Sequence, residues 1–268
     1  MNMRKAIFIT GGASGISRAT AQLFASRGWF VGLADVNKAG LAETAALLPE
    51  GQSSTHVMDV RDRRQWDVEL GGFFAASGGR LDVLFNNAGV ARGGAFSDVS
   101  HEDHDLLIDV NIKGVINGAE AGFRYLKETP DSCLLNTCSA AGLIAGPGLA
   151  VYAVTKFGVR ALTEALEIEW QPHGIKVASL MPSFIDTPLL EANTSGTNRS
   201  VRDGVLAAGL EITPVGAVAQ AAWEAVRGNQ THVVVGKTAK RLKFLTRWMP
   251  GVARRGLGRR FLDGAQEG

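Results

Sequence analysis

Two residues in the stretch "AVYAVTKFG" are the strongest candidates for chemistry, because Tyr152 and Lys156 are polar groups in a small, apolar run. Positions four apart in a helix lie on the same face, about 6 Å along the axis, so both side chains could act on one ligand. A phenol is a poor base at neutral pH, and a nearby ammonium lowers its pKa. The pair predicts that Tyr152 acts as a general base or general acid. Without context, the same spacing also fits a solvated helix face.

A glycine-rich turn near the amino terminus offers a site for phosphate. The stretch "TGGASGIS" follows a short apolar segment and opens a helical pattern. Glycines let backbone N–H groups approach a pyrophosphate, and the positive end of the helix adds favourable charge. We predict that Gly11, Ser14, Gly15 and Ile16 bind the phosphates of a dinucleotide. The alternative is a tight connection between a strand and a helix.

An acidic residue supports the dinucleotide interpretation. Asp35 ends the second apolar segment, 20 residues after Gly15, where a carboxylate can accept hydrogen bonds from the ribose hydroxyls of NAD. The same carboxylate would repel the 2′-phosphate of NADP, and neither Ser14 nor Val36 supplies a cation to neutralise it. NAD is therefore favoured over NADP, with the reservation that the guanidinium of Arg18 could reach a phosphate from the same turn.

Short β-rich segments alternate with longer helical patterns along the chain, and such alternation indicates βαβ units with a parallel sheet. The β-rich segments are residues 6–10, 30–35, 55–60, 81–86, 132–139, 176–181 and 231–236. The predicted fold class is α/β: a single doubly wound Rossmann-type domain over residues 1–236, with a seven-stranded parallel sheet and helices on both faces.

Composition and charge argue against several other classes of protein. The 268 residues are 46% hydrophobic and 20% charged, as is ordinary for a globular protein. The body of the chain is acidic, so nucleic-acid binding is not expected. Cys133 and Cys138 lie five apart in one strand pattern and should point to opposite faces, which argues against a disulfide between them. Since we recognise neither a signal peptide nor a membrane span, we expect a soluble, cytoplasmic protein.

The turn, the acid and the Tyr-Lys pair together resemble the short-chain dehydrogenase/reductase family, over about residues 3–236. The family's Thr-Gly-x-x-x-Gly-x-Gly turn is matched by Thr10, Gly11 and Gly15, and Ser17 stands where a third glycine is usual. We expect this serine to crowd the start of the helix slightly without preventing binding. Each short motif is unspecific alone, whereas the ordered set is specific.

The resemblance implies further contacts to the cofactor. In "MDV", the Asp59 side chain would meet the adenine amine and Val60 its ring. In "NNAG", Asn87 would lie next to the adenosine ribose. In "MPSFIDTP", the backbone of Ile185 and the hydroxyl of Thr187 would hold the nicotinamide carboxamide.

The resemblance also implies four catalytic residues. Ser139 would donate a hydrogen bond to the substrate oxygen, where charge develops during hydride transfer, and Tyr152 would exchange the substrate proton. Lys156 would lower the pKa of Tyr152 and bind the nicotinamide ribose, which makes Tyr152 and Lys156 part of the cofactor site as well. Asn111, in "DVNIKG", would hold a water that links Lys156 to solvent.

Residues 187–213 are predicted to form a substrate lid. The segment follows a strand and mixes Ser, Thr, Asn and Gly with weak helical patterns. Ligands of open α/β sheets bind beyond the carboxyl ends of strands, where such a segment would lie. A tolerated surface insertion is the alternative. Few charges and repeated Leu and Ala in the segment favour an apolar substrate.

The stretch "SHEDHD" contains two histidines and three acids and could suggest a metal site. Ser100 and Asp103, however, have the spacing of a capping box at the start of a helix, and acids in a first turn suit the helix dipole. We therefore predict a helix cap and no metal site.

Residues 237–268 form a basic extension that the family resemblance does not cover. Nine Lys and Arg and no acidic residue lie between positions 237 and 262, while the remaining chain has 19 basic and 26 acidic residues. Leu242, Leu245, Trp248 and Met249 fit one face of a helix. The extension could bind an anionic membrane surface or an acidic carrier of the substrate, or it could pack on its own body or on a partner subunit.

The sequence predicts an NAD-dependent oxidoreductase that interconverts a secondary alcohol and a ketone. A nucleotide-binding regulator of the same fold, which binds NAD without turnover, is the alternative. The family resemblance implies a homodimer or homotetramer built through two long helices, near residues 101–127 and 150–172.

Overall fold

The structure is a computed structural model that describes residues 4–191 and 200–265, with side chains as far as Leu257. The strands are β1 Ala6–Thr10, β2 Phe30–Asp35, β3 Ser53–Val57, β4 Val83–Asn86, β5 Cys133–Thr137, β6 Lys176–Pro182, β7 Phe184–Ile185, β8 Ile212–Thr213 and β9 His232–Val235. The α-helices are α1 Gly15–Ser26, α2 Lys38–Ala46, α3 Arg63–Ala76, α4 His101–Ile108, α5 Gly114–Glu128, α6 Ala150–Glu169, α7 Val201–Ala207, α8 Val215–Arg227, α9 Lys237–Trp248 and α10 Pro250–Ala265.

Seven of the described strands form one parallel sheet in the order β3-β2-β1-β4-β5-β6-β9. The strand order reverses between β1 and β4, which is where doubly wound sheets open a ligand crevice at the carboxyl edge. The predicted fold class is therefore confirmed, and each of the seven predicted segments overlaps one strand of the sheet. The third segment was placed too late: β3 pairs with β2 and ends at Val57, opposite Asp35.

Apolar residues cover both faces of the sheet, as the doubly wound arrangement requires. On one face, α1, α2 and α8 contribute Phe24, Leu41 and Val218 to a core that includes alternate residues of β1. On the other face, α3 and α5 contribute Trp66 and Leu126. Helices on both sides hold the carboxyl ends of the strands in a fixed array.

A buried carboxylate joins the starts of β1 and β4. Asp82 is 3% exposed, and its Oδ2 accepts hydrogen bonds from the backbone N–H of Ala6 at 2.9 Å and from Nε of Arg80 at 3.1 Å. A second Arg80 contact to Oδ1 at 2.5 Å makes the pair bidentate. The pair fixes the central strands at the edge opposite to the ligand crevice.

Both cysteines are buried thiols and form no disulfide. Burial raises the pKa of Cys133 to about 12 and also raises the pKa of Cys138. The Cys138 thiol donates to the carbonyl of Lys156 at 3.1 Å, so it packs on the helix α6. The prediction that the two residues do not pair is confirmed.

The predicted lid has a short sheet at its base. The two-residue strands β7 and β8 pair in parallel, with Ile185 opposite Thr213, and α7 precedes β8. Residues 192–199 of the predicted lid lie outside the described residues. In the described part of the chain, no helix is both long and apolar enough to cross a membrane.

Candidate active site

The turn between β1 and α1 has the open backbone that a phosphate site needs. Gly11 and Gly15 have φ angles of 72° and 55°, in the left-handed region that favours glycine. A Cβ at Gly11 would lie 3.1 Å from Cα of Ala88, so the turn lies against the loop after β4. Ser14, the N-cap of α1, makes no side-chain hydrogen bond to the helix, which leaves the first N–H groups to a ligand. The side chain of Ile16 packs on the core, so Ile16 can offer only its backbone.

The carboxylate of Asp35 is fixed at the end of β2, beside this turn. Its Oδ2 accepts a hydrogen bond from the N–H of Ala13 at 3.1 Å, and its Oδ1 accepts one from the N–H of Asn37 at 2.9 Å. A carboxylate has about four lone-pair sites. Two backbone hydrogen bonds therefore orient Asp35 and leave acceptor capacity for the hydroxyls of a ribose.

Arg18 is held by neighbouring groups of the turn and of α2. Its guanidinium donates to the carbonyl of Ala13 at 2.6 Å, to the hydroxyl of Thr44 at 2.9 Å and to the carboxylate of Glu43 at 3.0 Å. The ion pair with Glu43 neutralises its charge locally. The reservation that Arg18 would bind a 2′-phosphate is weakened, because that phosphate would have to displace Glu43.

A buried hydrogen-bond network lies under the glycine turn. The hydroxyl of Ser17 donates to the carbonyl of Thr10 at 2.8 Å and accepts from Nδ2 of Asn87 at 2.7 Å. The hydroxyl of Thr137 donates to Oδ1 of Asn87 at 2.7 Å. Both ends of the Asn87 amide are therefore fixed. Sequence reasoning expected Ser17 only to crowd the helix, whereas its hydroxyl ties α1 to the loop after β4.

The two residues assigned to adenine are already in contact with protein groups. The carboxylate of Asp59 makes a bidentate ion pair with Arg61, with contacts of 2.5 to 3.0 Å, and this cation lowers the pKa of Asp59. Val60 is buried against α5, because a Cβ at Gly114 would lie only 2.7 Å from Val60 Cγ2. An adenine amine would have to share the Asp59 carboxylate with Arg61.

The segment after β6 returns to the glycine turn. Ile185 is 5% exposed, so only its backbone is free to meet a ligand. Thr187 donates its hydroxyl to the carbonyl of Ile185 at 3.3 Å. A Cβ at Gly15 would lie 3.2 Å from Cγ2 of Thr187. The structure thus brings the two ends of the predicted cofactor site together from positions about 170 residues apart.

Tyr152, Lys156 and Ser139 converge at the carboxyl edge of the sheet. Lys156 Nζ lies 5.6 Å from the centroid of the Tyr152 ring and donates to the carbonyl of Thr137 at 3.0 Å. Ser139 follows β5, and its Oγ accepts a hydrogen bond from the N–H of Ala141 at 3.1 Å. This bond caps a short 3₁₀ turn and orients the serine hydroxyl. Lys156 is 4% exposed and Ser139 is 9% exposed, so the group is largely withdrawn from water.

Burial shifts the pKa values of the two titratable members in opposite directions. Burial raises the pKa of Tyr152 to about 12, and a hydrogen bond with Ser139 opposes this shift. Burial lowers the pKa of Lys156 to about 8. The net shift of Tyr152 is therefore upward in the chain by itself, because burial of the phenolate outweighs the hydrogen bond with Ser139. That the Lys156 ammonium lowers this pKa stays a prediction for the occupied site.

Asn111 lies in a π-helical turn, Asp109–Lys113, between α4 and α5. It is fully buried, and its amide makes two hydrogen bonds of 2.9 Å with the backbone of Val90. A Cβ at Gly89 would lie 3.2 Å from Asn111 Oδ1 and 3.7 Å from Lys156 Nζ, so the two groups share one neighbour. Such turns are frequent at functional sites, and this one brings Asn111 towards Lys156.

Thr155 is a residue of the site that sequence reasoning missed. Its hydroxyl donates to the carbonyl of Tyr152 at 2.7 Å and accepts from Nδ2 of Asn111 at 3.3 Å. Thr155 therefore joins α6 to the π-helical turn and fixes Tyr152 and Asn111 relative to each other. A threonine between a Tyr and a Lys in sequence gives no sign of this role.

The predicted helix cap at Ser100 is confirmed. Its hydroxyl accepts a hydrogen bond from the N–H of Asp103 at 3.1 Å. The Asp103 side chain makes an ion pair with Arg92 at 2.7 Å. His104 stacks on Phe96 with ring centroids 5.1 Å apart. Among the described side chains, no three His, Cys, Asp or Glu residues lie together as a metal ion would require.

The described geometry fits a nicotinamide dinucleotide. Gly11 and Gly15 have backbone angles that would strain a residue with a Cβ, and their open backbone can accept a diphosphate. The N-terminus of α1 offers N–H groups beside the oriented Asp35 carboxylate. The residues that would hold the cofactor line one edge of the sheet, next to Tyr152 and Lys156.

A known protein family matches most of the chain. A family model described as "short chain dehydrogenase" matches residues 5–198. The chain is 36% identical to a 3-oxoacyl-(acyl-carrier-protein) reductase of Thermotoga maritima over 190 residues, which cover 70% of this chain and 76% of the relative. It is 31% identical to a cyclopentanol dehydrogenase of a Comamonas species over 189 residues, or 70% of this chain and 75% of the relative.

Comparison with solved structures agrees with the fold. A crystal structure of a short-chain dehydrogenase/reductase from Burkholderia phymatum in complex with NAD matches with a TM-score of 0.79 and 27% identity. The match covers 90% of this chain and 92% of that protein.

Proposed function

We propose that this chain, which belongs to the short-chain dehydrogenase family, is an NAD-dependent oxidoreductase that interconverts a secondary alcohol and a ketone. The observation that carries the proposal is the convergence of Ser139, Tyr152 and Lys156 at the carboxyl edge of the sheet, beside the glycine turn. Acid-base chemistry on a bound hydroxyl is what these residue types can do there.

Each of the three residues has a distinct role at the substrate oxygen. Ser139, oriented by its bond to Ala141, donates a hydrogen bond to the oxygen on which charge develops. Tyr152 gives its proton to that oxygen when a ketone is reduced and takes it when an alcohol is oxidised. Lys156 returns the proton to Tyr152, and Asn111 would connect Lys156 to solvent through a water. NAD, when bound, supplies the hydride acceptor or donor.

The raised pKa of Tyr152 suits the acid role in the chain alone. A phenol with a pKa of about 12 stays protonated at neutral pH and is ready to give its proton to a ketone. Its use as a base requires a further positive charge next to it, because an opposite charge within about 4 to 6 Å favours the ionised form. Alcohol oxidation therefore depends on the positive charge that surrounds Tyr152 when the cofactor is bound.

The proposed preference for NAD over NADP follows from the charged residues beside the glycine turn between β1 and α1. The Asp35 carboxylate is oriented by Ala13 and Asn37 and would repel a 2′-phosphate. Arg18, the cation that could offset this repulsion, is paired with Glu43. The similar protein from Burkholderia phymatum carries NAD in its crystal structure.

We further propose an apolar alcohol as the substrate class. A small hollow lies at the start of α6 and is lined by Val151, the residue before Tyr152, among mostly apolar neighbours. It is formed by Arg92, Gly94, Phe96, Val99, His104, Leu107, Gly148, Ala150 and Val151. One relative is named for cyclopentanol, a small alicyclic alcohol.

A homodimer or homotetramer is proposed on the exposed apolar residues of the long helices. Val154, Phe157 and Ile168 lie along one side of α6 and are 64%, 40% and 69% exposed, and Ile108 at the end of α4 is 38% exposed. A subunit interface would remove these side chains from water. Light scattering of the purified protein measures the oligomer mass directly, and a monomer would refute this part.

Turnover is tested with a panel of lipophilic and polar secondary alcohols and NAD, followed by the absorbance of the reduced cofactor. Tyr152→Phe is expected to lower kcat by about 100-fold or more, since general acid-base catalysis typically contributes 10²–10⁴. Tyr125→Phe is the matched control, because Tyr125 is the other tyrosine of the chain and packs against Phe74 at a tilt, away from the site.

The outcomes separate the oxidoreductase from a regulator of the same fold. Turnover that survives the loss of the Tyr152 phenol contradicts the acid-base mechanism. NAD binding, measured by calorimetry, without turnover on any alcohol or ketone favours a regulator. Loss of turnover in Tyr152→Phe but not in Tyr125→Phe supports the proposal.

A further inference from the structure

The helices α9 and α10 after the sheet form a surface that the proposed oxidoreductase activity does not use. α9 begins directly after β9, at the carboxyl edge that carries Ser139, and the N–H of Lys237 donates to the carboxylate of Glu211 at 2.8 Å. α9 packs against β9 and against the 3₁₀ turn Ala140–Gly142. The extension is therefore attached to the body close to the candidate active site.

The structure divides the apolar stripe predicted for α9. Ala239 is fully buried, and Leu242 and Leu245 are half-buried against the body. Phe244 and Trp248, one turn apart on the outward side, are 58% and 66% exposed. The residues predicted to share one face of the helix thus differ in burial, and packing on the chain's own body accounts only for Leu242 and Leu245.

Exposed apolar side chains continue past the end of α9, and exposed cations surround them. Met249 and Val252 are 45% and 42% exposed. As far as Leu257, the exposed cations of the two helices are Lys237, Lys240, Arg241, Lys243, Arg247, Arg254 and Arg255. In the part of the extension whose side chains are described, none of these cations forms an ion pair. The extension is thus a cationic surface with an aromatic centre.

We propose that this surface, Lys237–Arg255, binds the face of an anionic phospholipid bilayer. Helices with Trp, Phe and Leu beside Lys and Arg lie in the plane of the interface, where the apolar side chains enter the headgroup boundary and the cations meet anionic lipids. Trp248 suits this depth because its ring is amphipathic.

The charge distribution argues against a second copy of the chain as the occupant. A two-fold interface brings the same patch of two subunits together. Through this surface it would place unpaired cations opposite unpaired cations, without an acidic residue between positions 237 and 262 to separate them. An anionic bilayer instead supplies the charge that the surface lacks.

Sedimentation with lipid vesicles tests the proposal on the full-length protein. Vesicles of phosphatidylcholine with roughly 30% phosphatidylglycerol are compared with vesicles of phosphatidylcholine alone, at about 0.1 M salt. The protein is expected to bind the anionic vesicles and to leave the neutral ones. Trp248 is the exposed one of five tryptophans, so its fluorescence should shift to shorter wavelength on binding, and Trp248→Phe should abolish the shift.

Two double variants separate the charges from the aromatic residues. Lys243→Gln with Arg247→Gln should weaken binding to anionic vesicles about 30-fold, from about fivefold for each cation near the surface. Phe244→Ser with Trp248→Ser should weaken it about tenfold or more. All four side chains are exposed, so both variants should fold.

Matched controls alter similar residues elsewhere on the surface. Lys5→Gln with Arg64→Gln removes two exposed cations, and Val68→Ser removes an apolar side chain that is 69% exposed on α3. Vesicle binding should be unchanged in both.

Several results would overturn the proposal. Equal binding to neutral vesicles, or no binding to either kind, excludes an anionic bilayer as the partner. Loss of binding in the charge variant but not in the aromatic variant contradicts the entry of Phe244 and Trp248 into the headgroup boundary. A change in oligomer mass caused by either variant assigns the surface to a subunit contact.

Discussion

Replacement of Lys156 by methionine should stabilise the folded protein at neutral pH while it removes turnover. Lys156 is 4% exposed, and burial lowers the pKa of its ammonium from 10.5 to about 8. The charged form is therefore less stable in the folded chain than in water. Methionine has a similar length and no charge, so it occupies the same space without the desolvation cost.

Linkage gives the size and sign of the effect. The folded pKa lies below the unfolded pKa, so the unfolded chain binds more protons between about pH 8 and pH 10.5, and the wild-type protein gains stability as the pH rises through this window. At about pH 7 the full penalty of about 3 kcal/mol applies. The lost hydrogen bond to Thr137 costs about 1 kcal/mol. Lys156→Met should therefore be more stable than wild type by about 2 kcal/mol at pH 7.

Urea unfolding of wild type and Lys156→Met at about pH 7 and pH 9 measures this difference. The advantage of the variant should shrink by about 1 kcal/mol between the two values. The raised pKa values of Cys133 and Tyr152 act with the opposite sign at alkaline pH, but Lys156 is a cause of neither shift, so their contributions cancel in the comparison. Removal of Lys156 also raises the pKa of Cys138 further, which shrinks the advantage of the variant in the same direction. The exposed Lys127 provides the control: Lys127→Met should show no pH-dependent difference.

One result would refute the reasoning about Lys156. If the variant is less stable than wild type at pH 7 by the same amount as at pH 9, the ammonium is not desolvated in the folded chain. The lysine would then contribute to stability through its hydrogen bond alone, and its lowered pKa could not serve the proposed proton transfer.

Three further substitutions test other parts of the structure. Ser17→Ala removes the hydroxyl that holds Asn87, so the KM for NAD should rise about tenfold with little change in kcat. An unchanged KM in steady-state kinetics would mean that the hydrogen bond from Asn87 to Ser17 does not support NAD binding. Asp35→Ser should shift the ratio of kcat/KM for NAD over NADP by about 100-fold towards NADP, and an unchanged ratio would mean that the carboxylate does not select the cofactor. Asp82→Asn leaves the guanidinium of Arg80 without its buried carboxylate and should lower the free energy of unfolding by about 3 kcal/mol, measured in urea; a loss below about 1 kcal/mol would place the pair among weak surface contacts.

The main sheet was predictable because each strand is a local signal. Segments such as residues 6–10 and 30–35 are short apolar runs between helical patterns, and both strands begin and end as predicted. The β3 boundary was missed because β3 is an edge strand, and its pairing with β2 rather than its composition sets where it ends. Strands β7 and β8 have two residues each, which is too short for a period to appear.

Part of the candidate site could also be predicted from single segments of the sequence. The glycine turn and the four-residue spacing of Tyr152 and Lys156 are readable because neighbouring residues fix their geometry. The network of Ser17, Asn87 and Thr137 could not be predicted, because it joins α1 to the carboxyl ends of β4 and β5, which are far apart in the sequence. Its members meet only when the register places Asn86 opposite Asn136, and no single segment contains that register.

The order in which Tyr152 and Lys156 lose their protons depends on burial, which residue spacing does not reveal. Spacing alone predicted a phenol made more acidic by an ammonium. In the folded chain, Lys156 has a pKa of about 8 and Tyr152 of about 12, so Lys156 is the stronger acid. A proton given by Tyr152 to a ketone is therefore replaced downhill from Lys156. Above about pH 8 Lys156 no longer carries that proton, so the same burial that sets the direction of the relay also sets its upper pH limit.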